Sequence, residues 1–156
     1  MFVAAFQHVL ARLRAVLGSD ADPRKRVGRE GETIAARHLA SQGYRIIERN
    51  VRVPMGEADI VAMDPDGLTH VIVEVKTRVR IEGQPELSAT TLPEESVTVA
   101  KRQTLENILK HLSRANAWER SRIDVIGIEL SGEDALVRHH VGEARSRAVV
   151  ERNAFR

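Results

Sequence analysis

"THVIVEVKTR", residues 69–78, decides how the chain is read. Val71, Ile72 and Val73 form an apolar run of the kind that a strand covered on both faces carries. Glu74 and Lys76 then follow with only Val75 between them. Side chains two apart on a strand share a face, so the acid and the base point the same way at the end of a hydrophobic strand. Upstream, "ADIVAMD" (58–64) reads as a second strand, and "DPDG" (64–67) is a turn signal. The two strands form an antiparallel hairpin. With the turn at 64–67, residue 59 falls near residues 72–74. Asp59, Glu74 and Lys76 therefore meet on one face, with Glu57 close by.

Two carboxylates about 4 Å apart repel by roughly 4 kcal/mol at an effective dielectric of 20. Lys76 offsets one negative charge. The remainder calls for a proton or a cation. Oxygen donors without His or Cys favour Mg²⁺ or Mn²⁺. Such an ion polarises phosphate oxygens, and a neighbouring lysine stabilises the charge that develops there. The bland alternative is a surface ion pair past the end of a core strand.

Outward from the hairpin, the pattern alternates between helices and strands. Residues 1–17 place Phe2, Phe6, Val9, Leu10, Leu13, Val16 and Leu17 on one helical stripe. Residues 19–28 read as a linker, a helix is expected over 29–42 with Gly43 just past its end, and "YRIIER" (44–49) reads as a strand. Residues 79–95 read as a mobile loop. A helix follows at 97–114, then a strand at 122–130 and an edge strand at 135–141. The order predicts an α/β fold, a mixed central sheet flanked by helices. It divides into an N-terminal helix and linker (1–27) and a main domain (28–156).

The chain has 156 residues and no cysteine, which excludes disulfides, thiolate zinc sites and a cysteine nucleophile. No apolar run approaches the roughly 20 residues of a membrane span, and the N-terminal stretch has its charges after its apolar residues, the reverse of a secretory signal. A cytoplasmic protein is expected. The 1–17 helix is read as a packing or self-association element, a route to a homodimer or a protein partner. Lys and Arg outnumber Asp and Glu by ten to five in residues 1–52 and eleven to eight in 101–156, while acids lead nine to three in 53–100. Basic flanks around an acidic middle suit a polyanion, with a solvated surface as the alternative. Thr77 and Arg78 after the motif, and Lys101 and Arg102 at the start of the 97–114 helix, are candidate phosphate contacts. Arg122 and Asp124 share a strand face and are read as a structural pair. His139 and His140 point to opposite faces and cannot easily share a metal. Aromatics are only 3% of the chain, which disfavours a single-strand binder built on base stacking.

"GREGETIAARHLASQGYRIIERN" (28–50), "GEADIVAMD" (56–64), "VIVEVKTR" (71–78) and "RIDVI" (122–126) together resemble the YraN family of small bacterial predicted endonucleases. The D…(E/D)-x-K pattern within them resembles the restriction-endonuclease-like, PD-(D/E)xK superfamily. The resemblance implies a restriction-endonuclease-like core that hydrolyses DNA with Mg²⁺ or Mn²⁺. It implies Asp59 and Glu74 as metal ligands and Lys76 as the catalytic lysine. Glu32 matches an acid on the first helix of archaeal Holliday-junction resolvases and would reach the metal or its water. Glu57 stands in the family's "GE-x-D" piece as a further candidate ligand. A branched or damaged DNA is the expected substrate. The competing class is a non-catalytic nucleic-acid-binding or docking module, in which the acids are structural.

Overall fold

The computed structural model describes residues 22–80, 93–142 and 145–146. The expected helix at 1–17 and most of the expected loop at 79–95 lie outside the described residues. Helix α1 (Pro23–Ser41) begins with Asp22 as its N-cap, whose carboxylate accepts the Arg24 amide at 2.9 Å, and with Pro23 in its first turn. Both are helix-start chemistry. The stretch read as a linker up to 28 is therefore helical from Pro23, a correction to the expected start at 29. Gly43 follows the helix at φ +87°, a left-handed conformation that glycine adopts at little cost.

Strands β1 (Arg45–Val53), β2 (Gly56–Met63), β3 (Thr69–Val79), β4 (Arg120–Ser131) and β5 (Asp134–His140) lie side by side in chain order. A two-residue β6 (Arg145–Ser146) pairs with the first residues of β4. All neighbours are antiparallel except β3 and β4, which run parallel from Thr69↔Arg120 to Val79↔Leu130. The crossover between them contains a short 3-10 turn (Pro93–Ser96) and helix α2 (Val99–Ala115). The mixed α/β sheet expected from the sequence is present.

The central strands of the sheet are buried between the two helices. Ala35 and Leu39 of α1 pack on Ile60, Ala62, Val71, Val73, Ile126 and Ile128. Leu105, Ile108 and Leu109 of α2 cover the opposite face, on Val51, Ala58, Val61, Ile72 and Trp118. Alternate residues of β3 thus serve different cores, which is why its run is apolar without alternation. The DPDG turn forms as expected. Gly67 donates to the Asp64 carbonyl at 2.9 Å, and the Asp66 carboxylate accepts the Leu68 and Thr69 amides at 2.8 Å. Trp118 is buried and stacks on His70 with 4.4 Å between ring centroids, so it offers no platform to a base.

Candidate active site

The β2–β3 hairpin runs in register from Met63↔His70 to Ile60↔Val73 and stops there. One step further, Asp59 and Glu74 would face each other. The main chains part instead, and Asp59 Oδ2 takes the Val75 amide at 2.7 Å. A side-chain carboxylate thus replaces a ladder carbonyl at the point where the sheet opens.

Glu74 is only 2% exposed. Its Oε1 lies 2.9 Å from Lys76 Nζ, and its Oε2 lies 2.9 Å from Lys101 Nζ, each lysine side chain being 31% exposed. The Lys101 contact is one of charge alone. Oε2 is buried and accepts no hydrogen bond of good alignment. Burial, reinforced by the negative charge of Glu74, pushes Asp59 up from 3.8 to about 6, although the Val75 amide and Lys101 pull the other way. The cluster lines an open cleft of about 690 Å³. Arg24, Gly28 and Glu32 of α1, Lys76 and Thr77 of β3, and Lys101 of α2 line it.

Asp59, Glu74, Lys76 and Glu32 therefore share one cleft. Glu32 also lies 3.7 Å from Arg49. Glu57, expected as a further ligand, does not line the cleft: its side chain is 38% exposed and pairs with Arg52 across the β1–β2 hairpin at 3.1 Å. Among the described residues no three acids or histidines converge closely enough to form a ready cation cage. Arg78 pairs with Glu129 at 3.0 Å. The Thr77 hydroxyl is buried against Gly31, where any Cβ would collide with Oγ1. It serves the close approach of α1 to β3. Arg102 is exposed and borders a separate hollow with Val97 and Leu105. Lys101, expected at a phosphate, is seated on Glu74.

The sequence reading missed the contribution of the first turns of α1. Asp22-Pro23 was the signal, obscured by the basic "RKR" that follows. It also missed Glu94, buried in the 3-10 turn with Arg138 at 2.8 Å and His140 at 3.0 Å.

Residues 31–128 match the model of the uncharacterised protein family UPF0102, and the matched span holds all the cleft acids and both lysines. The chain belongs to this UPF0102, or YraN, family. UPF0102 relatives include proteins of Chlorobaculum parvum (40% identical over 103 residues, 65% of this chain and 74% of that one) and Moorella thermoacetica (39% over 117 residues, 72% and 88%). A Pelobacter propionicus member is 43% identical over 107 residues, 68% of this chain and 72% of its own. Among solved structures, SfsA of Pyrococcus furiosus in complex with Ca²⁺ is similar at a TM-score of 0.37 and 18% identity, over 76% of this chain and 64% of that one. No helix among the described residues of this UPF0102 member is long and apolar enough to cross a membrane.

Proposed function

We propose that this UPF0102 protein is a Mg²⁺- or Mn²⁺-dependent DNA endonuclease of the cytoplasm, built on a restriction-endonuclease-like PD-(D/E)xK core and directed to branched or damaged DNA. One observation carries the reading: Asp59, Glu74 and Lys76, from two strands that separate at that point, meet in an open cleft flanked by two helices. The donor set fits a hard divalent ion. Glu74 Oε2 is buried without a hydrogen bond, and Asp59 is held up near 6 by burial and by Glu74. Asp59 and Glu74 would hold the ion, with Glu32 reaching toward it from α1. Once bound, the ion supplies Lewis-acid polarisation and charge neutralisation at the scissile phosphate.

The chain's own residues do the rest. Lys76 is fixed by Glu74 and remains partly open to the cleft, so its ammonium can donate to a non-bridging phosphate oxygen as negative charge builds there. Asp59 is held in place by the Val75 amide. The test is cleavage of labelled duplex, single-stranded, flap and four-way-junction DNA with Mg²⁺ or Mn²⁺, for wild type beside Glu74→Ala and Lys76→Ala. Metal-dependent cuts that fall at least about 100-fold in both variants are expected, since groups acting on transition-state charge are typically worth that much. Full-rate cleavage by Glu74→Ala would remove the assignment.

One feature favours a second reading, a DNA-docking module without catalysis. Both oxygens of Glu74 already face ammonium groups, so this carboxylate is compensated without a metal. Tight binding to one DNA shape without any cut, and unchanged by Glu74→Ala, is what that reading expects.

A further inference from the structure

Lys101 occupies an unusual position. It lies in the first turn of α2, where the helix dipole favours negative charge, and that turn carries no acid at all. The Thr98 N-cap accepts the Lys101 amide at 3.1 Å, which fixes where the side chain leaves the helix. From there Nζ reaches Glu74 Oε2 at 2.9 Å. Lys76 covers the other oxygen. Glu74 is thus doubly compensated, while Asp59 beside it accepts the Val75 amide. The oxygen that Lys101 touches is also the buried one that accepts no aligned hydrogen bond. A positive charge sits there without the directional bonds that would make the arrangement final.

We infer that Lys101 is a resident surrogate for the divalent ion: it holds Glu74 before loading and must be displaced when a cation binds. This rests on the cation-dependent reading of the cleft. Asp59 and Glu74 would hold the divalent ion, and Lys101, 2.9 Å from Glu74 Oε2 and close enough for its charge to act on Asp59 as well, is a direct electrostatic competitor for that pair. Lys76 sits on the other oxygen, Oε1, two residues along the same strand. Displacement is mechanically easy. The Lys101 side chain is 31% exposed at the rim of the cleft, and its long stem can swing toward water or toward a phosphate oxygen. Lys101 thereby sets the cation affinity of the empty protein, and its ammonium becomes free for the nucleic acid only after loading.

The experiment is calorimetric titration of Mn²⁺ alone into the full chain, without nucleic acid, for wild type, Lys101→Met, Lys101→Arg and Glu74→Gln. Melting curves in the absence of metal check that each is folded. Lys101→Met should bind Mn²⁺ at least about tenfold more tightly than wild type, a change of about 1.4 kcal/mol. Lys101→Arg keeps the charge and should stay near the wild-type value. Glu74→Gln should lose the site. Equal or weaker binding by Lys101→Met, with the site still lost in Glu74→Gln, overturns the surrogate role and leaves the cation reading standing. Tightening by Lys101→Arg as large as by Lys101→Met also overturns it, because charge would not be the cause. Binding that survives Glu74→Gln, or none in any variant, removes the cation reading and this inference with it.

Discussion

On β3, Glu74 and Lys76 share one side of the strand. On β4, its parallel neighbour, Arg122 and Asp124 share the other. Each is an acid and a base two residues apart, and each acid is buried. Asp124 is 0% exposed, accepts Arg122 at 2.9 and 3.1 Å and the Gly142 amide at 2.9 Å, and has His139 Nε2 at 2.9 Å. Arg122 in turn holds Asp64 at 2.6 Å and donates to the Tyr44 hydroxyl at 2.8 Å. Each oxygen of Asp124 has two partners. Burial pushes Asp124 up, but the bonds from His139, Arg122 and Gly142 outweigh it and hold the acid below its ordinary value. Glu74 has two ammonium groups and one oxygen without an aligned bond, and its neighbour Asp59 is raised. The β4 cluster is closed and braces the fold. The β3 cluster is left with an unmet demand at the mouth of a cleft, the arrangement that functional sites favour.

Removing the acids should break this contrast most visibly. Asp124→Ala leaves a buried guanidinium short of its main partner and should cost about 3 kcal/mol. Glu74→Ala should cost less than about 1 kcal/mol, because Lys76 and Lys101 can turn to water. Urea unfolding of the two variants reads the difference, and equal losses would erase the distinction. Next in size is a pH effect. Asp59 binds its proton more tightly folded, with a value of about 6, than unfolded at 3.8. Its contribution is therefore greatest below about pH 4 and is lost as pH rises to about 6. Asp59→Asn should abolish that contribution, so wild-type stability relative to the variant should fall by about 2 kcal/mol across the window. Asp124, with its lowered value, must show the opposite sign and lose stability as pH falls. Unfolding free energies at pH 4, 5, 6 and 7 would show both. The smallest effect concerns how α2 presents Lys101. Thr98→Ala removes the N-cap and should cost about 1 kcal/mol, read as a lower melting temperature.

Much of the site was legible because it depends on short-range rules. Alternation along β3 placed Glu74 with Lys76, and the DPDG turn set the register that brings Asp59 to Glu74. The Arg122–Asp124 pair and the opposite facing of His139 and His140, onto Asp124 and Glu94, follow from the same alternation. What was not legible depends on docking between distant segments. Nothing local encodes the parallel pairing of β3 with β4, and Lys101 reaches Glu74 only because α2 packs over the sheet. The place of Thr77 after the motif suggests a phosphate contact. Its odd position puts it on the α1 side with Val73, and Gly31 lets the helix close over it. The start of α1 was a different kind of miss. Asp22-Pro23 spelled a cap, and the basic residues after it drew the reading toward a linker.

The bond from the Val75 amide to Asp59 gives the cleft a reporter inside the main chain. An ordinary strand amide donates to a carbonyl whose charge never changes. This one donates to a group that gains and loses a proton near pH 6. The exchange rate and chemical shift of a single backbone hydrogen thus register the charge on Asp59, and would register whatever comes to neutralise it, with no substrate, label or assay for catalysis.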